Sequence, residues 1–233
     1  MSRTRQLAAG GRAVEVEPER LAGFLGRFAD GHGGARHTAV TARQVDVTAG
    51  DGWVASIPVP FRPLDAPPGQ RAGLAVDELL EHLMVPRTIG LVLVRLGGYS
   101  VGIARAGQVL VSSTGGRPVH GRTAAGGQSQ QRFARRRENQ ARVAVQAAAD
   151  TAARVLLPRA AELDAIVLGG DTTALRSLAT DPRLTALLER AEPRVLDVPE
   201  PRRTVLDEAA RRTRCVEVQL RPSPPSSAFD HPR

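Results

Sequence analysis

Residues 89–116 read IGLVLVRLGGYSVGIARAGQVLVSSTGG, three apolar runs separated by glycine-containing turns. Short runs rich in valine, isoleucine and leucine, bounded in this way, are typical of neighbouring antiparallel strands. The stretch therefore predicts a β-meander, with a fourth strand expected at 118–122. Downstream, the pattern predicts a long helix over about 130–157 and a buried strand at 164–168. The expected fold class is α+β, a mixed sheet covered by helices.

Upstream of the meander, the composition predicts a separate N-terminal region over residues 1–72. Leu21, Leu25 and Phe28 follow helical spacing, which predicts a short amphipathic helix, and two alternating stretches after it predict a β-hairpin. Five prolines between Pro58 and Gly73 predict a linker, because proline cannot donate within a sheet. We expect the main domain over 73–221 and a disordered tail over 222–233, which is rich in proline and serine.

The composition limits the classes of function. The chain has 233 residues, a net charge of +8 and a pI near 11.3, and all of its basic residues are arginine. This excess of basic over acidic residues favours a polyanionic partner, and nucleic acid is the first candidate. A single cysteine excludes a disulfide framework, and the histidines show no metal-ligand spacing, so we expect no metal and no cofactor. The sequence shows neither a signal peptide nor a membrane span, which predicts a cytoplasmic protein.

Most of the excess charge lies in one segment. Between Arg117 and Arg142 there are seven arginines and one acid, a net charge of +6. On a helix, Arg132, Arg135 and Arg142 share a stripe with Asn139 and Gln146, opposite a face of small apolar residues. An arginine run is often only a solvated surface, but this density beside a glycine-rich loop favours contact with RNA phosphates. The predicted RNA-binding residues are Arg122, Arg132, Arg135, Arg136 and Arg142.

The loop before this helix contains Gly126-Gly127-Gln128-Ser129. Two consecutive glycines leave no side chains around the peptide groups, so such a loop can enter a narrow space. Gln128 adds an amide that both donates and accepts hydrogen bonds, and Ser129 can cap the helix. A tripeptide alone is weak evidence for a function. Its position between a predicted strand and an arginine-rich helix strengthens the evidence for a functional loop.

This segment, together with Arg132-Phe133-Ala134-Arg135, resembles the catalytic loop and helix of eukaryotic and archaeal class 1 peptide-chain release factors. The resemblance extends over about Asp77 to Leu220. From its length, the chain is expected to lack the stop-codon-reading and partner-binding domains of those factors. It is therefore more similar to the compact release-factor-like peptidyl-tRNA hydrolases of bacteria, the ribosome-rescue branch. The resemblance implies a fold like the catalytic middle domain of the release factors.

The resemblance also implies an activity, hydrolysis of the ester that joins a nascent peptide to tRNA. In the family the loop enters the peptidyl-transferase centre, which makes the large ribosomal subunit and peptidyl-tRNA the expected partners of a monomeric protein. The matching positions are Gly126 and Gly127, which shape the loop, and Gln128, which positions water and stabilises charge at the ester. In the rescue branch the glutamine can lie beyond the glycines, so Gln130 and Gln131 remain alternatives.

Two other functions remain open. A non-catalytic RNA-binding or ribosome-associated module would keep the fold and the arginine-bearing helix without the reaction. An RNA-cleaving enzyme is the second alternative, because this type of α/β fold resembles nuclease folds. The sequence shows no carboxylate cluster near the loop that is suited to two metal ions, which disfavours the second alternative.

Overall fold

The computed structural model describes residues 3–8, 10–95, 97–116 and 128–222, with the backbone alone for residues 128–141. The strands are β1 Thr4–Gln6, β2 Arg12–Val16, β3 Ala35–Val40, β4 Gln44–Ala49, β5 Val54–Pro58, β6 Gly69–Ala72, β7 Thr88–Arg95, β8 Gly98–Arg105, β9 Gln108–Gly116, β10 Ala165–Gly170 and β11 Val216–Arg221. The helices are α1 Pro18–Gly31, α2 Asp77–Met84, α3 Gln128–Leu156, α4 Thr172–Leu178, α5 Thr185–Leu188 and α6 Arg203–Arg212. Short 3-10 turns span Leu157–Glu162 and Pro182–Leu184.

The first of two compact units contains the described residues up to Val85 and from Arg214 onward. Its seven strands form an antiparallel sheet in the order β1-β2-β11-β5-β4-β3-β6. Helices α1 and α2 bury Leu21, Leu25, Leu79 and Leu83 in one core with the alternate strand residues. Buried and less buried residues alternate strictly along β4 and β11, as expected for an antiparallel sheet with one face on the core.

This unit differs from the predicted organisation in three ways. Two strands that were not predicted, residues 4–6 and 12–16, precede the predicted helix, and the expected linker contains β6 and the buried Leu64. The unit boundary lies at Val85 instead of residue 72. The last strand, β11, pairs with β2 and β5 and so belongs to this unit. The physical reason is that residues 69–72 contain no proline and pair only with β3 at the sheet edge, where proline nearby is tolerated.

The second unit, residues 86–213, contains a mixed four-stranded sheet in the order β10-β7-β8-β9. Strands β7, β8 and β9 form the predicted antiparallel meander, and β10 pairs parallel to β7. Helices α3 and α6 pack on this sheet. The predicted α+β class with a mixed, helix-covered sheet is confirmed. Leu196 adds a single bridge to Gly169 of β10. The expected strand at 118–122 lies outside the described residues.

Helices α3 and α6 lie on opposite faces of the mixed sheet. Val101 and Ile103 on β8 share a core with Ala148 and Ala152 of α3. Between them, Gly102 faces α6, and a Cβ atom there would lie 2.8 Å from the Leu206 side chain. Because successive strand residues point to opposite faces, the two helices enclose the sheet from both sides. This arrangement fixes the position of α3, the helix that follows the glycine-rich segment.

Candidate functional site

The Gly-Gly-Gln segment lies between the end of β9 at Gly116 and the start of α3 at Gln128. Gly126 and Gly127 lie outside the described residues. Gln128 is the first residue of α3, although the helix was expected to begin two residues later. Gln130 and Gln131, the alternative catalytic residues, belong to the same first turn. The backbone N–H groups of this turn have no partner within the helix, because their acceptors would precede it.

The predicted RNA-binding arginines divide into three groups. Arg122 lies outside the described residues. Arg132, Arg135 and Arg136 lie on α3 where the structure describes the backbone alone. Arg142 is exposed, and so is Gln146, the last residue of the predicted stripe. At this end of the stripe, the exposed face of α3 agrees with the helical spacing.

The C-terminal half of α3 is attached to the sheet through small side chains. Ala148, Ala149 and Ala152 are almost fully buried, and Val155 and Leu156 are buried one turn further along. The apolar face expected opposite the arginine stripe therefore faces the core at positions 148, 152 and 155. Alanine allows the helix to lie close to the strands, but its single methyl group interlocks little with neighbouring side chains.

Polar contacts on one side join α3 to the end of the meander. Buried Thr151 donates a hydrogen bond from Oγ1 to the Tyr99 hydroxyl at 3.2 Å. Tyr99 lies directly opposite Gly115 on β9, and a Cβ atom added to Gly115 would lie 2.6 Å from Tyr99 Cζ. Arg154, one turn along α3, donates to Ser113 Oγ at 3.0 Å. The helix is thus hydrogen-bonded to the strand that leads into the glycine-rich segment.

A second polar contact holds the same turn of α3 from another direction. Arg183 donates from one guanidinium nitrogen to Asp150 at 2.7 Å and to Asp181 at 2.6 Å. Asp181 also caps the 3-10 turn that contains Arg183, accepting from its backbone N–H. The hydrogen bonds from Arg183 and then Gln146 lower the pKa of the Asp150 carboxyl. Asp181 and then Asp150 raise the pKa of Arg183, so the three groups remain charged at neutral pH.

Sequence reasoning missed these contacts. Tyr99 is too isolated in the sequence to suggest a base-stacking platform, and nothing in its neighbourhood pointed to α3. One signal was available, since Thr151 is a hydroxyl residue on the predicted apolar face, between Ala148 and Ala152. A buried hydroxyl needs a hydrogen-bond partner, either in the preceding turn of its own helix or on the packed sheet.

In the described ranges, no group of three or more His, Cys, Asp or Glu is arranged to hold a metal ion. Within the same part of the chain, no helix is both long and apolar enough to cross a membrane.

The solved structures that match the chain include two archaeal proteins. One is described as an archaeal protein, with 15% identity, a TM-score of 0.37, and coverage of 70% of this chain and 48% of that one. The other is a crystal structure of the archaeal translation termination factor aRF1, with 17% identity, a TM-score of 0.39, and coverage of 70% and 47%. The chain thus spans about half the length of these two structures. No curated protein matches it.

The family of the protein is shown by a match to a protein-family model. The model described as the Actinobacteria/chloroflexi VLRF1 release factor matches residues 87–219. The matched range contains the meander, the glycine-rich segment and the whole of α3. Because the match covers more than half of the chain, the protein belongs to this family of release factors.

Proposed function

We propose that this protein hydrolyses the peptidyl-tRNA ester at the peptidyl-transferase centre, releasing nascent chains in ribosome rescue or quality control. The observation that carries the proposal is the sequence Gly126-Gly127-Gln128 at the start of α3, within the range matched by the release-factor family. The substrate is peptidyl-tRNA, and the partner is the large ribosomal subunit. The protein acts in the cytoplasm as a monomer, without a metal or another cofactor.

The start of α3 suits the chemistry of ester hydrolysis. An ester has an acceptable leaving group, so positioning of water and stabilisation of the oxyanion suffice without a strong base. The first turn of a helix offers free N–H groups and the positive end of the helix dipole. In the proposed reaction the backbone N–H of Gln128 faces the developing oxyanion, and its side-chain amide positions the attacking water.

The charge of the same helix suits the proposed partner. Ribosomal RNA presents phosphates, and each arginine that contacts one releases counterions into solution. The stripe of Arg132, Arg135 and Arg142 follows the catalytic segment directly in the sequence. Binding and chemistry are then assigned to neighbouring parts of one helix, with Arg122 and Arg136 as further RNA contacts.

The experiment is release of labelled peptide from peptidyl-tRNA on 50S subunits. Gln128→Ala is expected to lower the release rate constant at saturating protein by on the order of 10²–10³, as for loss of one oxyanion-stabilising group. Affinity for the subunit, measured separately, should not change, because the arginines are untouched. The substitution should therefore lower the rate constant of release and leave the dissociation constant for the subunit unchanged.

Gln130→Ala and Gln131→Ala are the matched controls, since they remove the same side chain from the same turn. If one of them abolishes release and Gln128→Ala does not, the activity stands and the catalytic residue is the other glutamine. If all three variants release peptide at the wild-type rate, the proposal is wrong. If the wild type binds the subunit but releases no peptide, the protein is a non-catalytic ribosome-associated module. If rRNA or tRNA is cleaved in the assay, the protein is an RNA-cleaving enzyme.

A further inference from the structure

The direction of α3 determines where Gln128 lies. From Thr151 to Gln128 the helix runs for about 34 Å, at about 1.5 Å per residue. Over that length, a tilt of about 5° at Thr151 moves Gln128 by about 3 Å. A misplacement of about 1 Å at a reacting group can cost about 10² in rate. The contacts around Thr151 therefore have a large effect on the geometry at the helix start.

The apolar contacts alone define this direction poorly. Going toward the N-terminus, Ala148 is the last almost fully buried position among the side chains that the structure describes, and it sits on a face made largely of alanine. Methyl groups set the distance between helix and sheet but give little resistance to tilting and rotation. Directional hydrogen bonds supply the missing restraint, because they weaken steeply when their angles change.

The polar contacts are placed where they restrain tilting. Thr151 bonds to Tyr99 on one side, and the adjacent Asp150 bonds to Arg183 on another. Successive helix residues are about 100° apart around the axis, so the two bonds act in different directions. Tyr99 also lies across Gly115, one residue before the end of β9. One aromatic side chain thus contacts both elements that flank the glycine-rich segment.

We infer that Tyr99 and Thr151 are positioning residues that hold α3 in the direction needed for Gln128 to reach the ester. The inference rests on the proposed function for its consequence in the reaction, but the helix direction itself is measurable without any activity. Neither residue is proposed to contact the substrate. They act through α3, and their effect should appear in the release rate and not in the affinity for the subunit.

The test uses near-isosteric substitutions. Thr151→Val keeps the shape and β-branching of the side chain but removes the hydroxyl, while Thr151→Ser keeps the hydroxyl. Thr151→Val is expected to lower the release rate constant at saturation by about 10-fold to 100-fold with unchanged affinity, and Thr151→Ser to retain the wild-type rate. Tyr99→Phe removes the acceptor and should behave like Thr151→Val, with no added effect in the double variant.

Thr213→Val is the matched control. Thr213 is also a buried threonine of the second unit, and its hydroxyl donates to the Ala210 carbonyl at 2.8 Å, away from α3. The same chemical change there should destabilise the fold by a similar amount and leave the release rate unchanged. An equal loss of release in Thr213→Val would show that stability, not helix direction, causes the effect, and would overturn the inference.

The direction of α3 is read from the distance between two spin labels. The labels are placed at Ser129→Cys and at the exposed Leu110→Cys, with Cys215→Ser to remove the native thiol. Thr151→Val should shift or broaden the distance distribution, and Thr151→Ser and Thr213→Val should not. An unchanged distribution in Thr151→Val overturns the inference. A changed distribution with an unchanged release rate overturns the positioning role. If the wild type releases no peptide, the proposed function fails while the distances still test the helix.

Discussion

The two halves of α3 have different compositions. Residues 128–141 contain four arginines, one acid and three apolar residues, whereas residues 142–156 contain ten apolar residues among fifteen. The second half buries Ala148, Ala149, Ala152, Val155 and Leu156 and is hydrogen-bonded to three other parts of its unit. One continuous helix therefore combines a half that is held by its own domain with a half whose charge is suited to another molecule.

This division separates stability from function along a single helix. Substitutions of the buried residues in 142–156 should act on the free energy of unfolding, whereas substitutions in residues 128–141, and of the exposed Arg142, should act on ribosome binding and release. Thr151 and Asp150 lie in the half that packs on the domain, residues 142–156. Because they restrain the direction of α3, they also affect the position of residues 128–141. The following variants test how complete the division is.

The largest effect is expected from Leu156→Ala in the held half. Leu156 is 1% exposed, so its truncation leaves a cavity in the core between α3 and the mixed sheet. Such changes cost about 2–5 kcal/mol of the free energy of unfolding, measured by urea denaturation. Val143→Ala is the matched control on the same helix, since Val143 is 60% exposed and its loss should cost less than about 0.5 kcal/mol. Similar costs for the two variants would contradict the assignment of buried and exposed faces.

An intermediate effect is expected from replacing Arg132, Arg135 and Arg142 together with alanine. If the three guanidinium groups contact RNA phosphates, affinity for 50S subunits falls, and the slope of log K against log salt decreases by about 2 to 3. The fold should persist, as judged by the unfolding midpoint. Binding at low and high salt reports the slope directly.

The matched control for this triple variant removes three exposed arginines of the first unit, Arg27, Arg43 and Arg62. It changes the net charge equally, so a general charge effect would alter both slopes alike. Equal slopes for the two triple variants would assign the stripe on α3 to the solvated surface.

The architecture of the second unit was largely predictable because its signals are local. The strands β7 to β9 follow apolar runs with glycine-containing turns, and α3 follows a 3.6-residue pattern with a proline after its end. The position of β11 was not predictable in the same way. Its partners β2 and β5 are far away in sequence, and an alternating strand does not specify which edge it joins.

The candidate site was predictable only in part, for a similar reason. The basic stripe depends on spacing within one helix, and Arg142 and Gln146 at its end are exposed. The contacts that hold α3 depend on partners elsewhere in the chain, Tyr99 on β8 and Arg183 after α4. Helical periodicity shows which face of a helix is buried, but it does not show which polar group in the sheet meets a buried hydroxyl.

The smallest effect concerns the pH dependence of stability through Asp150. Arg183 and Gln146 lower the folded-state pKa of this carboxyl below its ordinary value near 3.8. A lowered folded pKa contributes stability that is present above the unfolded pKa and is lost as pH falls through the folded pKa. Asp150→Asn should therefore unfold at a slightly lower temperature than the wild type at pH 6, and the difference should vanish in strong acid, where both side chains are neutral. Because the pair is exposed, the difference at pH 6 should be small.

Thermal unfolding of the wild type and of Asp150→Asn between pH 6 and pH 2 measures this dependence. Arg183→Gln extends the comparison, because Asp181 also owes its lowered pKa first to Arg183. Removing the shared cation should therefore weaken the pH dependence more than removing Asp150 alone. A difference between wild type and Asp150→Asn that stays constant down to pH 2 would contradict the ion pair as its cause. In that event the contact between α3 and Arg183 would act through hydrogen-bond geometry alone, as the bond between Thr151 and Tyr99 does on the other side of the helix.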